Sequence, residues 1–347
     1  MILTSFEYKE FGWELNDLAP LKPVNLFVGR NATGKTRSIR AIQDVTSFLQ
    51  MGQSAHSFET VMKFSSKEDK TWSMEYSFKV NVFKIEKESL IVNGEQLIKR
   101  SKTTARYKDV KLSPPPEKLI VQIRRDRNLY PDIERLIQWA EGVTMVTCSD
   151  INCALGHSLN PYSFCDLVDS LSEVEKKKVL SQAKKLGYNI SDIKTIDAAR
   201  NCQFVQVKER FVPHLITDMD LSNGMYRTLY LLCFLSFIKQ ETNLSLLLID
   251  DLGEGLDYSR SVDFGKMIFD DCKEYGLQLI ASSNDAFLMD VVDIANWQVL
   301  NRKNGKVTAI NSENNPDLFR KFRMTGLSNF DFFSSDFIDS YLNEQKK

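Results

Sequence analysis

The chain has 347 residues, 43% hydrophobic and 26% charged, the balance of a folded globular protein of one large domain or two lobes. A net charge of −1 gives no overall field that would draw in nucleic acid or an anionic membrane. No uncharged run approaches the ~18 residues that span a bilayer, the start Met1–Glu7 lacks a signal-peptide pattern, and six cysteines without a CxxC pair fit reduced thiols in the cytoplasm.

Residues 1–10 and 24–28 read as strands, the second opened by Pro23. It runs directly into Gly29-Arg30-Asn31-Ala32-Thr33-Gly34-Lys35-Thr36, a complete G-x-x-x-x-G-K-[ST] phosphate loop. A helix is expected from Lys35, with Ile39, Ile42, Val45 and Leu49 on one face. From Phe58 to about Val110, Trp72, Met74, Tyr76, Phe78, Val80 and Val82 alternate with polar residues, the period of a half-buried strand. Ser89–Ile98 reads as a hairpin turning at Asn93-Gly94, and Pro114–Pro116 ends the antiparallel region. Lys118–Val121 reads as a strand with Gln122 at its end.

Residues 131 to about 200 read as helical, with Pro131 and Asp132 at a helix start, Ser170 and Glu173 as a capping box, and Gly187 as a stop. Strand-like alternation returns over Cys202–Ile216. From Gly224 the chain is almost wholly apolar, which implies a buried helix. Leu246–Ile249 and Leu277–Ser282 read as buried parallel strands with a helix from Tyr258 to Tyr275 between them. A last hairpin is expected at Asn304-Gly305, and there is no internal repeat or heptad run.

In the phosphate loop, Gly29 and Gly34 let successive N–H groups converge, and with the helix N-terminus these hold phosphates. Gly29, Asn31, Gly34, Lys35, Thr36 and Arg37 are therefore the candidate nucleotide-binding residues of this segment. Lys35 would reach the β- and γ-phosphates, and Thr36 would ligate Mg²⁺. Asp250 ends four apolar residues, and is either a plain strand-end carboxylate or a second Mg²⁺ residue. Lys99, Arg100, Lys102, Arg106 and Lys108, then Arg124, Arg125 and Arg127, form a basic stretch that reads as a solvated face or a nucleic-acid contact. Cys148, Cys153, His157 and Cys165 cluster loosely, but their spacing matches no common zinc pattern. Phe330-Asp331-Phe332-Phe333 is either packed on the core or an anchor for a partner.

Leu221-Ser222-Asn223-Gly224-Met225 resembles the signature sequence of ABC-type ATPases, and Leu246–Asp251 their Walker B strand. With the phosphate loop in this order, the chain resembles the RecF/SMC branch of those ATPases, in particular short stand-alone forms related to OLD-family and bacterial antiphage-defence ATPases. The likeness runs over nearly the whole chain. Leu21–Thr36 resembles the entry strand and Walker A, Ile123–Trp139 the passage into the helical lobe, Leu221–Arg227 the signature, Asp250–Asp257 Walker B and the D-loop, and Gln278–Asp290 the strand and switch.

The resemblance implies an α/β fold, an ABC-type P-loop ATPase core with an antiparallel β lobe and a helical lobe. Its expected parts are 1–130, 131–216 and 217–347, with no coiled-coil arm and no room after Asp290 for an OLD-type nuclease. ATP and Mg²⁺ are the implied cofactors, with Thr36, Asp250 and Gln122 at the metal. Gln122 stands for the Q-loop glutamine or for a surface polar residue. Ser222 and Gly224 are implied to meet the γ-phosphate held by a second copy, with Gly255, Leu256 and Asp257 communicating between the sites. Lys35, Asp251 and Asn284 are the implied catalytic residues. Asp251 stands where a glutamate is usual, Asn284 where a histidine is frequent, and Asn223 where the signature has glycine, which implies slow hydrolysis or a switch that mainly binds ATP. The implied partners are a second copy closing over ATP and a separately encoded effector, a nuclease or toxin, in antiphage defence or genome maintenance.

Overall fold

The computed structural model describes residues 1–52, 56–69, 71–151, 160–198, 202–240, 243–335 and 337–344. Alternation in the first residues makes a hairpin of Ile2–Glu10 (β1) and Trp13–Leu18 (β2), and the apolar run after Pro23 becomes Val24–Val28 (β3). Helix α1, Lys35–Met51, starts at the loop's last glycine and stops at Gly52, and buries Ile39, Ile42, Val45 and Leu49. An antiparallel series follows: Phe58–Ser65 (β4), Ser73–Asn81 (β5), Lys84–Val92 (β6), Glu95–Arg100 (β7), Ala105–Tyr107 (β8) and Val110–Leu112 (β9). The β6–β7 turn falls on Asn93 and Gly94, both at positive φ (50° and 83°), as the sequence expects.

Two short helices, Ile120–Ile123 (α2) and Pro131–Glu141 (α3), lead to Val143–Thr147 (β10). A lobe of Phe164–Ser170 (α4), Glu173–Lys185 (α5) and the three strands Ile190–Ala198 (β11), Cys202–Glu209 (β12) and Ile216–Thr217 (β13) comes next. The chain then returns with Asn223–Ile238 (α6), Leu246–Asp250 (β14), Tyr258–Glu274 (α7), Gln278–Ser282 (β15) and Ala286–Val291 (α8). The hairpin Trp297–Lys303 (β16) and Lys306–Ile310 (β17) turns at Asn304-Gly305, and Pro316–Arg323 (α9), Asn329–Ser334 (α10) and Phe337–Glu344 (α11) finish the chain.

The main sheet has the order β10-β14-β15-β3-β16-β17-β2-β1-β4-β5-β6-β7-β8-β9. Its first five strands pair in parallel, and β1 with β4–β9 form the antiparallel part. Period two along β14 splits the core. Leu246 and Leu248 face α1 and α3, while Leu247 and Ile249 face α6 and α7. Among the described residues no helix is long and apolar enough to cross a membrane, and there is no long coiled coil.

Several expectations change here. Residues 131–200 are not continuously helical: Val143-Thr-Met-Val-Thr, dominated by β-branched side chains, is a strand of the main sheet, and 190–198 is another. The expected division at 130/131 therefore cuts through the core, because β10 beyond it pairs with β14. Lys118–Val121 is no strand; α2 begins at Ile120. The capping box is Ser172 with Glu175, two residues beyond the expected pair, and Ser170 ends α4 instead. Cys153 and His157 of the loose cysteine cluster lie outside the described residues, and no metal-binding group of three or more His, Cys, Asp or Glu occurs among the described ones. Phe332 is fully buried against Trp297, Phe319 and Phe322, so the C-terminal aromatic run packs on the core.

Candidate functional site

Parallel strands bring their C-terminal ends to one rim, and loops leaving that rim form the natural crevice for a ligand. Strand β3 delivers the phosphate loop there, β14 delivers Asp250 and Asp251, and β15 delivers Ser282, Ser283 and Asn284. Gly29 packs so tightly that a Cβ there would lie 2.5 Å from Thr33 Oγ1, and Gly34 turns through φ 107°. The crevice, about 530 Å³, is lined by Asn31, Lys35, Thr36, Arg37, Asp251 and Asn284 among others. The sequence candidates of the phosphate loop, Walker B and switch thus share one cleft.

Lys35 is buried, and its Nζ donates to the Gly29 carbonyl at 2.6 Å. Burial lowers its pKa, opposed by the charges of Asp251 and Asp250. Thr36 Oγ1 donates to Asp250 Oδ1 at 3.1 Å across 214 positions of sequence, and Ser282 Oγ donates to the same oxygen at 2.5 Å. Asp250 Oδ2 is buried with no hydrogen-bond partner. A buried, unsatisfied carboxylate oxygen is costly. Here it lies on a carboxylate beside a threonine hydroxyl, a hard oxygen set of the kind Mg²⁺ takes together with phosphate and water. The residues present therefore fit the metal.

Asp251 follows with φ 57°, its N–H donating to Ser282 Oγ at 3.0 Å. Burial raises the pKa of its carboxyl, the charges of Asp250 and Glu254 add to the rise, and Lys35 and a hydrogen bond with Ser149 oppose it. Arg37 stands in the wall of the cleft, bonded to Glu10 through Nε at 2.9 Å and lying 4.7 Å from the Trp13 ring centroid.

Gln122 does not join this site. Its Nε2 donates to the carbonyls of Phe48 and Leu49, and its Oε1 accepts from Leu119 N–H. Phe48 lies thirteen residues along α1 from Lys35, roughly 20 Å at the helical rise. Gln122 caps the far end of that helix, so its expected place at the metal is withdrawn.

The signature residues form a second surface, outside the phosphate cleft. Ser222 caps α6 by accepting from Met225 N–H at 3.3 Å. Gly224 lies against the segment after Walker B, where a Cβ would come 2.9 Å from the Gly255 carbonyl. Arg227 Nη1 fixes the same segment by donating to Glu254 O at 3.0 Å. Three residues went unmarked in the sequence reading: Ser149 and Ser282, which bond the Walker B carboxylates, and Trp13, which lines the cleft. Ser149 becomes visible only once β10 is placed beside β14, Ser282 only once β15 is, and Trp13 carries no local signal.

No protein-family model matches the chain, and no curated protein matches it. Solved structures do. An SmcHead bound to the C-winged helix domain of ScpA superposes with a TM-score of 0.58 at 14% identity, over 89% of this chain and 98% of that one. The SMC head domain from Thermotoga maritima gives 0.51 at 12%, over 90% and 99%. An Smc head domain with an extended coiled coil, bound to the C-terminal domain of ScpA and derived from Pyrococcus furiosus, gives 0.54 at 13%, over 93% and 99%. At these identities the likeness is one of fold: an α/β SMC-head architecture carries the phosphate cleft.

Proposed function

We propose that this chain is an ATPase that binds Mg-ATP in the phosphate cleft, closes as a pair over it, and controls a separately encoded effector. The observation that carries the reading is the pairing of Thr36 Oγ1 with Asp250 Oδ1 beside the unsatisfied Oδ2. Bound Mg²⁺ would neutralise phosphate charge at that pair. The loop amides would hold the phosphates, and Lys35 would exchange its loop carbonyl for a phosphate oxygen. Asp251, raised in pKa, would accept a proton from the attacking water, with Asn284 on the same wall. Ser222 and Gly224 would complete the site from a second copy, since they do not line the cleft of their own chain.

Antiphage defence or genome maintenance is the setting favoured by the sequence resemblance, with a nuclease or toxin as the effector. The ScpA-bound SMC heads support partner binding by this fold. A second reading, an ATP-dependent scaffold that hydrolyses little, is favoured by Asp251. Its carboxylate is one methylene shorter than glutamate, and a misplacement near 1 Å costs about 10²-fold in rate.

The test is thermal melting with and without Mg-ATP. Ligand at about 100 times its Kd stabilises by roughly 2.7 kcal/mol, a rise of a few degrees in Tm. Lys35→Ala is expected to abolish the rise; an equal rise in the variant refutes the site.

A further inference from the structure

The phosphate loop leaves β3 between two groups of cleft residues. Asp251 and Asn284 follow β14 and β15, which lie on one side of β3 in the main sheet. Trp13 opens β2, three strands from β3 on the other side, and lines the same cleft. A nucleotide whose terminal phosphate points to the Walker B carboxylates therefore extends its nucleoside toward Trp13.

Trp13 itself does not meet the ligand's base. It is fully buried, its indole packed against Gly34. Arg37, in the first turn of α1, covers it, with Cζ 4.7 Å from the ring centroid. Glu10 fixes the guanidinium by accepting from Nε at 2.9 Å and from Nη2 at 2.5 Å. Glu10 is held in turn, its Oε2 accepting from Tyr8 Oη at 3.4 Å with His56 Nε2 3.2 Å away. The Arg37 side chain is nevertheless 46% exposed. With the indole on one side, that exposure belongs to the opposite side, in the wall of the cleft. A guanidinium fixed by a ring and a carboxylate is already ordered, so little side-chain entropy is left to lose when a ligand covers it.

We propose that Arg37 is the platform on which the nucleobase of the bound nucleotide stacks, with Trp13 and Glu10 as the residues that position it. Two contacts are open to a guanidinium in this place, a phosphate oxygen or the flat face of a base. The Glu10 carboxylate already neutralises its charge and takes two of its donors, which disfavours the phosphate. Its plane is left open, and guanidinium planes stack on bases as aromatic rings do. The inference rests on the nucleotide reading above and deepens it, by giving the base a place that the phosphate loop and the carboxylates do not supply.

Isothermal titration calorimetry of the full chain with Mg-ADP and with Mg-pyrophosphate separates the contacts, since only ADP carries a base and neither measurement needs turnover. The unaltered chain should bind ADP at least about tenfold more tightly than pyrophosphate. Arg37→Ala should weaken ADP about tenfold and leave pyrophosphate unchanged. Arg37→Lys keeps the charge and loses the plane, so it should behave as Arg37→Ala does. Equal affinity of the unaltered chain for the two ligands overturns the inference, as does ADP binding that neither variant changes. A loss shared by pyrophosphate and restored in Arg37→Lys also overturns it, by giving Arg37 to a phosphate. Lys35→Ala is the control for the site and should lose both ligands. If it loses neither, or the unaltered chain binds neither, the nucleotide reading falls and the inference with it. If it loses both while the Arg37 variants bind as the unaltered chain does, the inference alone falls.

Discussion

At the end of β14 the backbone of Asp251 adopts φ 57°, a conformation that costs a non-glycine residue about 1 kcal/mol or more. The Ser282 hydroxyl holds it there, accepting from Asp251 N–H while donating to Asp250. The turn separates two adjacent carboxylates into different tasks, Asp250 inward beside Thr36 and Asp251 into the cleft. Asp251→Ala is expected to slow phosphate release by about 10²-fold or more, while leaving the Mg-ATP melting shift in place. Only the deprotonated carboxylate accepts a proton, and its pKa is raised by burial. Turnover of the unaltered chain should therefore rise with pH as a carboxyl titrating above its ordinary value loses its proton, and the residual turnover of the variant should not follow that rise. An unchanged rate in Asp251→Ala, measured by steady-state phosphate release, removes the residue from the mechanism. The sequence marked Asp250 because it ends an apolar run and Asp251 through the family resemblance, but it did not mark the serines that orient them. A serine at a strand end has no distinguishing neighbours until the strands are laid side by side. Gln122 misled for the same reason: its partners, the carbonyls of Phe48 and Leu49, belong to a helix end far away in sequence.

Elements with strong periodicity or turn chemistry were legible: β3 into α1, the Asn93-Gly94 and Asn304-Gly305 hairpins, the apolar α6, and the buried pair β14 and β15. Strand β10 was not, because five residues following a helix have no room to display a period. Nor was the buried anchor of the antiparallel part. Glu88 on β6 is fully buried, accepting from Ile120 N at 2.8 Å, Val121 N at 3.2 Å and Tyr76 Oη at 3.0 Å, with Arg100 at 4.0 Å. It ties β6 to α2, whose Gln122 in turn caps α1. Burial raises its carboxyl from 4.5 to about 7. Between those values the folded chain keeps a proton that the unfolded chain releases, so this group lowers stability as pH rises from 4.5 to about 7, and the loss is complete above that. Glu88→Gln should remove that slope, worth roughly 3 kcal/mol across the window. Urea unfolding at pH 5 and pH 8 measures it; the same pH dependence in both proteins would place the titration elsewhere.

Over the whole molecule, one rim carries the phosphate loop, Walker B and the switch, while the signature residues stand on a separate surface tied to the segment after Walker B by Gly224 and Arg227. In the proposed closed pair a two-fold arrangement would bring the two surfaces together, each copy giving to the other what it receives. The SMC-head fold was legible from the order of the motifs, and its lack of a coiled-coil arm from the absence of heptads; the pairing of copies is an implication of the resemblance alone. Light scattering of the Asp251→Ala protein, with and without Mg-ATP, tests that pairing most directly. Slow turnover should hold the closed state, and the mass should move from 39.9 kDa to twice that value on adding Mg-ATP. Adding Ser222→Arg to the same protein should keep it at the single-chain mass, with the Mg-ATP melting shift retained. A mass that stays at 39.9 kDa under saturating Mg-ATP, or doubles equally in the Ser222→Arg protein, contradicts closure over a shared nucleotide.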